Sequence, residues 1–186
     1  MDPGSWNFRE IARDGRPYTV RPIRLDDEAR EQRFVASLSD ESLFNRVMHA
    51  RGAPLPEELR RLVQVDYQQT MAFVAVVTGL GEEEFIAVAR YACDPPIGDA
   101  APLIAEFAVV VTDAWQSRGV GTRIMQLLFD YAANQGIAQL YGSVLPSNGR
   151  IIDLLRHLGL KIVIDDDPSL LRATIDLRGR APVRAP

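Results

Sequence analysis

A single cysteine and two histidines limit the chemistry open to this chain. Cys93 alone forms no intramolecular disulfide and builds no multi-cysteine zinc site. His49 and His157 lie far apart without metal-ligand spacing, so no metal is expected. Nowhere do about 18 consecutive apolar residues occur, which argues against a membrane span. The opening "MDPGSWNFREIARDG" lacks a basic patch followed by an apolar core, so no secretory signal is expected and the default location is the cytoplasm. A formal net charge of -4 leaves no basic footprint for non-specific nucleic-acid binding. It does not exclude a local basic pocket for a small anion.

What is present is an ordinary globular composition of 186 residues, 47% hydrophobic and 25% charged, enough for one domain with a sizeable core. "YTVRPI" alternates like a short strand, and "LDDEAREQRFVASLS" reads as a helix with Asp26 as N-cap and acidic residues in its first turn. A second helical piece is expected over 41–48, and a third begins at Pro56 in "PEELRRLVQV". "MAFVAVVTG" and "EFIAVARYAC" form a hairpin through "GLGEEE"; the loop "DPPIGDAAP" then leads to the long apolar strand "LIAEFAVVVT". Ile124, Leu127, Leu128, Tyr131 and Ala132 recur at helical spacing, with Gly136 as terminator. Strand "AQLYGSVL", a helix carrying Ile151, Leu154, Leu155 and Leu158, and strands "LKIVI" and "LLRATIDL" complete the chain. The order predicts a mixed α/β domain over 17–177, with residues 1–16 and the basic tail 178–186 as flexible ends.

Between the long strand and the helix stands "DAWQSRGVGTRI". A strand entering a helix through glycines presents free amides at the positive end of the helix dipole, which suits a phosphate. Gly119 and Gly121 permit positive φ and close approach, and Arg118 and Arg123 offer charge-assisted contacts. A P-loop requires Gly-Lys-Ser/Thr where this chain has Gly121-Thr122-Arg123, and a dinucleotide fingerprint requires a small residue where Ile124 stands.

Gln116-Ser117-Arg118-Gly119-Val120-Gly121 instead resembles the Gln/Arg-x-x-Gly-x-Gly/Ala signature of GNAT-type N-acetyltransferases, and the order of elements is similar from Tyr18 to Leu177. "PSNGRIIDLLRHLGL" resembles a later loop and helix of the same family. The stretches "TVRPIRLDDE", "SLSDESLFNRV", "VDYQQTMAFVAV" and "AEFAVVVTDAWQSRGVG" are similar to the acetyltransferase domain of bacterial Pat-type protein lysine acetyltransferases, which modify acetyl-coenzyme A synthetase.

The resemblance implies an α/β (α+β) GNAT fold: a mixed, mostly antiparallel sheet flanked by helices and splayed between its fourth and fifth strands. It implies acetyl-coenzyme A as co-substrate, with the pyrophosphate on Gln116 and the amides of Ser117, Arg118, Gly119, Val120, Gly121 and Thr122. The pantetheine arm would lie along Val109, Val110 and Val111, where the strand bends at a bulge, and Asn148 would touch the coenzyme. A homodimer through sheet or helix edges stays open.

Glu106 interrupts the apolar strand. Burying a carboxylate costs several kcal/mol unless it is paired or neutralised. An ammonium acceptor must lose a proton before its nitrogen attacks a thioester, and the resemblance implies Glu106 as that general base. The family's usual tyrosine acid falls at Leu155, leaving Ser147, water or an unprotonated thiolate. The expected activity is transfer to a protein lysine in a ternary complex; a small-molecule amine acceptor and a non-catalytic acyl-coenzyme A sensor remain alternatives.

Overall fold

The computed structural model describes residues 3–39, 56–79, 81–95, 102–181 and 183. Its eight strands are β1 (Phe8–Ile11), β2 (Pro17–Pro22), β3 (Thr70–Gly79), β4 (Glu82–Cys93), β5 (Ile104–Val111), β6 (Gln139–Val144), β7 (Lys161–Ile164) and β8 (Leu171–Asp176), in one sheet of order β1-β2-β3-β4-β5-β6-β8-β7. Every pairing is antiparallel except β5 with β6. The helices are α1 (Glu28–Ala36), α2 (Pro56–Val63), α3 (Val120–Asn134) and α4 (Gly149–His157). The helix expected over 41–48 and most of the loop over 94–102 lie outside the described residues.

Alternation along the strands sorts side chains into two cores. Met71, Phe73 and Ala75 of β3 join the cluster under α3 and α4, with Ile124, Leu128 and Leu155. Ala72, Val74 and Val76 face the other way, toward Phe34 and Val35 of α1 and Val63 of α2. The register shift between Ala75 and Val76 leaves Ile86 of β4 as an extra residue. The carbonyl of Ile86 accepts the Thr112 amide at 2.9 Å and the Thr112 hydroxyl at 3.2 Å, which ends β5 just before the glycine turn. The bulge expected on the strand before the turn therefore sits on its neighbour, since β5 pairs with β4 in unbroken register from Ala105 to Val111.

The splay falls between β5 and β6; it reads as fourth and fifth only when β1 is not counted. Parallel pairing extends from Ile104↔Gln139 to Glu106↔Tyr141 and stops. At the next β6 position a Cβ on Gly142 would lie 2.9 Å from Phe107 Cζ and 3.0 Å from the Phe107 carbonyl. The buried Phe107 ring fills the space a side chain would need, so only glycine passes there.

Residues 3–16, expected as part of a flexible end, pack into the fold. Trp6 is fully buried, edge-to-face with Tyr131 at 5.1 Å, and β1 pairs with β2 throughout. "FREI" alternates over only four residues, too few to stand out as a pattern. The start of the tail also packs down: Arg180 pairs with Asp130 at 2.7 Å, and the Val183 amide donates to Asn134 Oδ1 at 3.1 Å.

Helix α1 begins one residue later than expected, with Asp27 rather than Asp26 at the junction. Fully buried Asp27 accepts Arg21 Nη1 at 2.7 Å, Arg21 Nη2 at 2.9 Å and the Arg24 amide at 2.8 Å. Arg21 Nη2 also donates to Glu83 Oε2 at 2.6 Å, so one guanidinium joins β2, α1 and the β3–β4 hairpin.

Burial alone would raise the Asp27 pKa, but the hydrogen bonds from Arg21 and the Arg24 amide hold it below the usual carboxylate value. The folded state thus keeps the carboxylate charged to lower pH than the unfolded chain, whose Asp titrates near ~3.9. Its stabilisation is present above that value and is lost as pH falls through the lower folded one. Asp27→Asn should cost about 3 kcal/mol in urea unfolding at neutral pH, the scale of a broken buried pair. The deficit should shrink only in acid; a deficit that widens below about pH 4 would contradict this sign. Gly142→Ala should cost about 1–3 kcal/mol by overpacking. Combining it with Phe107→Leu should cost less than the sum of the two changes, and strict additivity would dismiss the contact as the cause.

Candidate active site

Beyond Thr112 the chain makes a 3-10 turn over Asp113–Trp115 and passes through Ser117 at φ 59 and Gly119 at φ 88 into α3. These two left-handed residues aim the start of α3 at the open end of β5. Gly119 is the N-cap and supplies no side-chain cap, and the first turn holds no acidic residue. The opening amides of α3 therefore have neither an intrahelical acceptor nor a carboxylate to answer the dipole.

These amides border a cleft of about 220 Å³ lined by Val111, Gln116, Ser117, Gly119, Gly121, Thr122 and Asn148 among others. A Cβ on Gly121 would stand 3.2 Å from Leu154 Cδ2 and 3.4 Å from Val111 Cγ2, so a larger residue would narrow the space between β5 and α4. Gln116 Nε2 donates to the Val111 carbonyl at 3.1 Å and to Asp113 Oδ1 at 2.8 Å, while its Oε1 accepts Arg150 Nη1 at 2.7 Å. One side chain thus ties together the end of β5, the turn and the start of α4. Asn148 caps α4, its Oδ1 accepting the Ile151 amide at 3.2 Å. Uncapped amides, glycines that put no Cβ in the way and an open strand edge fit a diphosphate with an extended arm.

Other predicted residues lie outside the cleft lining. Val120 is fully buried and offers only its backbone. Val109 and Val110 are half-buried and pair with Ala89 and Val88 of β4; past Glu106, β5 has no β6 ladder among the described residues. The Arg118 side chain is ion-paired with Asp14 instead of facing the cleft, and Arg123 is held by Glu10 at 2.7 Å. Both cations were expected at the phosphate, and both are spent fastening the N-terminal hairpin. Arg13, Asp113, Arg150, Ile151 and Leu154 line the cleft without having been predicted as site residues. Arg150 left a signal in the sequence, a cation in the first turn of a helix, where the dipole disfavours it. Arg13 left none, because its segment reads as loose.

Glu106 stands on the opposite face of the sheet and is exposed, while its neighbours Ala105 and Phe107 are buried. The burial argument for this carboxylate does not hold: strand alternation turns it outward. It lies opposite Ala92 of β4 and Tyr141 of β6, at the last paired position before the splay. Tyr141 Oη donates to Asp94 Oδ1 at 3.0 Å. Burial, the bond to Asp94 and the charges of Asp94 and Glu106 push this phenol up to about 12, so it stays protonated. The Arg172 guanidinium lies 4.2 Å from the Tyr141 ring centre and pairs with Asp165, which also accepts the Ser143 hydroxyl at 3.1 Å. Leu155 is fully buried in the core, so no acid stands there. Burial also pushes the Cys93 thiol up, which disfavours a thiolate nucleophile.

The geometry agrees with comparison to known proteins. The acetyltransferase (GNAT) family matches over residues 25–160. Acetyltransferase PA5475 of Pseudomonas aeruginosa is 34% identical over 156 residues, covering 84% of this chain and 81% of that protein. Acetyltransferase Pat of Mycolicibacterium smegmatis is 30% identical over 83% of this chain, which spans only 44% of that longer protein. The crystal structure of the GNAT domain of S. lividans PAT superposes with a TM-score of 0.84 at 29% identity, over 95% of this chain and 99% of that domain. With a Gln-x-x-Gly-x-Gly turn at an uncapped helix, a splayed sheet and these relatives, the chain belongs to the GNAT family of acetyltransferases.

Proposed function

We propose that this enzyme moves the acetyl group of acetyl-coenzyme A to the ε-amine of a lysine on another protein, with Glu106 as general base. The observation that carries the reading is the convergence of two features on the splay. The uncapped start of α3 opens on one side of β5, and Glu106 marks the last paired β5 residue on the other.

When bound, the donor supplies an activated thioester carbonyl. The opening amides of α3, with Gly119 and Gly121 leaving room, hold its diphosphate, and the unladdered edge of Val109–Val111 aligns its arm like an added strand. Asn148 and Gln116 keep α4 and the turn in register around it. An amine reaching the splay from the α1 face meets Glu106, with Asp94 and Tyr141 beside it, a setting that favours a cation. Glu106 takes one proton from the ammonium, directly or through water. The freed nitrogen forms the C–N bond, the C–S bond breaks, and the thiolate leaves with its electron pair and receives, through water or Ser147, the second proton that the nitrogen gives up.

The similarity to Pat-type domains supports a protein acceptor, an acyl-coenzyme A synthetase among them. Lys161 is the only lysine of this chain, so self-acetylation on a side chain is confined to one site and label on an added protein is read cleanly. Incubation with acetyl-coenzyme A, a panel of acyl-coenzyme A synthetases and a panel of small amines should yield acetyl-lysine on a synthetase by mass spectrometry. Turnover of free amines alone would reject the lysine assignment. Glu106→Gln should lower turnover at least tenfold at unchanged acetyl-coenzyme A affinity; an unaltered rate would remove Glu106 as base.

A further inference from the structure

Five arginines surround the glycine turn, and their pairing divides them. Arg118 and Arg16 share Asp14, and Arg123 is neutralised by Glu10. Arg13 and Arg150 have no carboxylate partner among the described residues, and these two line the cleft. Each adds positive charge where a helix dipole is already positive. Arg150 sits in the first turn of α4, and the Arg13 side chain crosses the N-cap of α3, where a Cβ on Gly119 would lie 3.5 Å from Arg13 Nε. Neither helix carries an acidic residue in its first turn. The lining's single carboxylate, Asp113, is engaged by Gln116 Nε2. Two cations without a carboxylate partner among the described residues and an uncapped helix start therefore converge on one cleft, whose lining sets two arginines against the single carboxylate Asp113, an excess of positive charge that suits an anion.

Arg13 arrives there on the β1–β2 hairpin, outside the span over which the family matches. The hairpin is bolted to the turn. The Arg13 amide donates to the Arg118 carbonyl at 3.0 Å, the Arg16 guanidinium lies 3.9 Å from the centre of the Trp115 ring, and Asp14 grips Arg118. The Arg13 side chain has no hydrogen-bond or ion-pair partner among the described residues.

We propose that the N-terminal hairpin is a wall of the donor site and that Arg13 is a phosphate-binding residue of this enzyme, while Arg118 of the glycine signature is a structural bolt. The inference rests on the donor cradle described above. The ligand chemistry is a phosphate oxyanion of coenzyme A, either the diphosphate or the 3′-phosphate monoester.

Isothermal titration calorimetry of the full chain with acetyl-coenzyme A and with its 3′-dephospho analogue tests it. Arg13→Ala should weaken acetyl-coenzyme A at least fivefold, with a shallower salt dependence and an unchanged unfolding temperature without ligand; Arg13→Lys should recover part of the loss. Loss confined to the 3′-phosphorylated ligand assigns Arg13 to the monoester, and equal loss on both ligands assigns it to the diphosphate. A change under fivefold, or a loss that follows a lowered unfolding temperature, overturns the role of Arg13 while leaving the cradle standing. Absence of binding by the parent chain rejects the cradle, and Arg13 with it.

Discussion

Phe107 against Gly142 is the contact on which the working part of this molecule depends. Two strands joined by parallel pairing would ordinarily continue their ladder, since every unmade bond leaves a backbone group to find another partner. Here the ladder is stopped after Glu106 by an aromatic ring lodged where β6 has no Cβ. Among the described residues β5 then runs on to Val111 paired with β4 only, while β6 stays paired with β8 along its whole length. The open edge this creates is what an extended acyl donor can use. The start of α3 lies at its end because Thr112 halts the strand on the bulged Ile86 carbonyl.

Charge is distributed with similar economy. The hairpin before the first predicted strand carries Glu10 and Asp14, and these absorb the two arginines of the signature region. Removing those cations from the cleft leaves electrostatic selection to residues from other elements and fixes the turn mechanically. A phosphate site built from amides needs rigid placement more than it needs a particular side chain, because a helix start gives its binding energy only when its N–H groups point at one spot.

The sheet separates two chemistries. On one face α3 and α4 cover an apolar core and shape the cleft beside the glycine turn. On the other, α1 is anchored through the buried Arg21–Asp27 pair and Glu83, and farther along the same sheet Glu106, Tyr141, Ser143 and Arg172 form an open polar stretch. Breaking the Arg21 cluster would leave a buried charge at the root of α1, whereas its intact form ties that helix to β2 and the β3–β4 hairpin.

Much of this was legible from residues alone. Helical spacing from Ile124 to Ala132, alternation in the β3–β4 hairpin, and the strand-glycine-helix order all rest on local chemistry, so most of the elements, the glycine turn and the family could be read directly. Asn148 was named from the family resemblance as a coenzyme contact, and its role as the cap of α4 came from the structure. What pairing and packing decided was different in kind. Strand alternation, not apolar surroundings, set the exposure of Glu106; cross-strand register put it beside Tyr141. Which arginines line the cleft depended on ion pairs formed across about a hundred residues of chain, as between Glu10 and Arg123. Trp6 and the short β1 became part of the core only because Tyr131 and Phe73 were there to receive the ring. Local sequence sets propensity and spacing, and contacts between distant segments choose partners, because their energy exists only once the chain has folded.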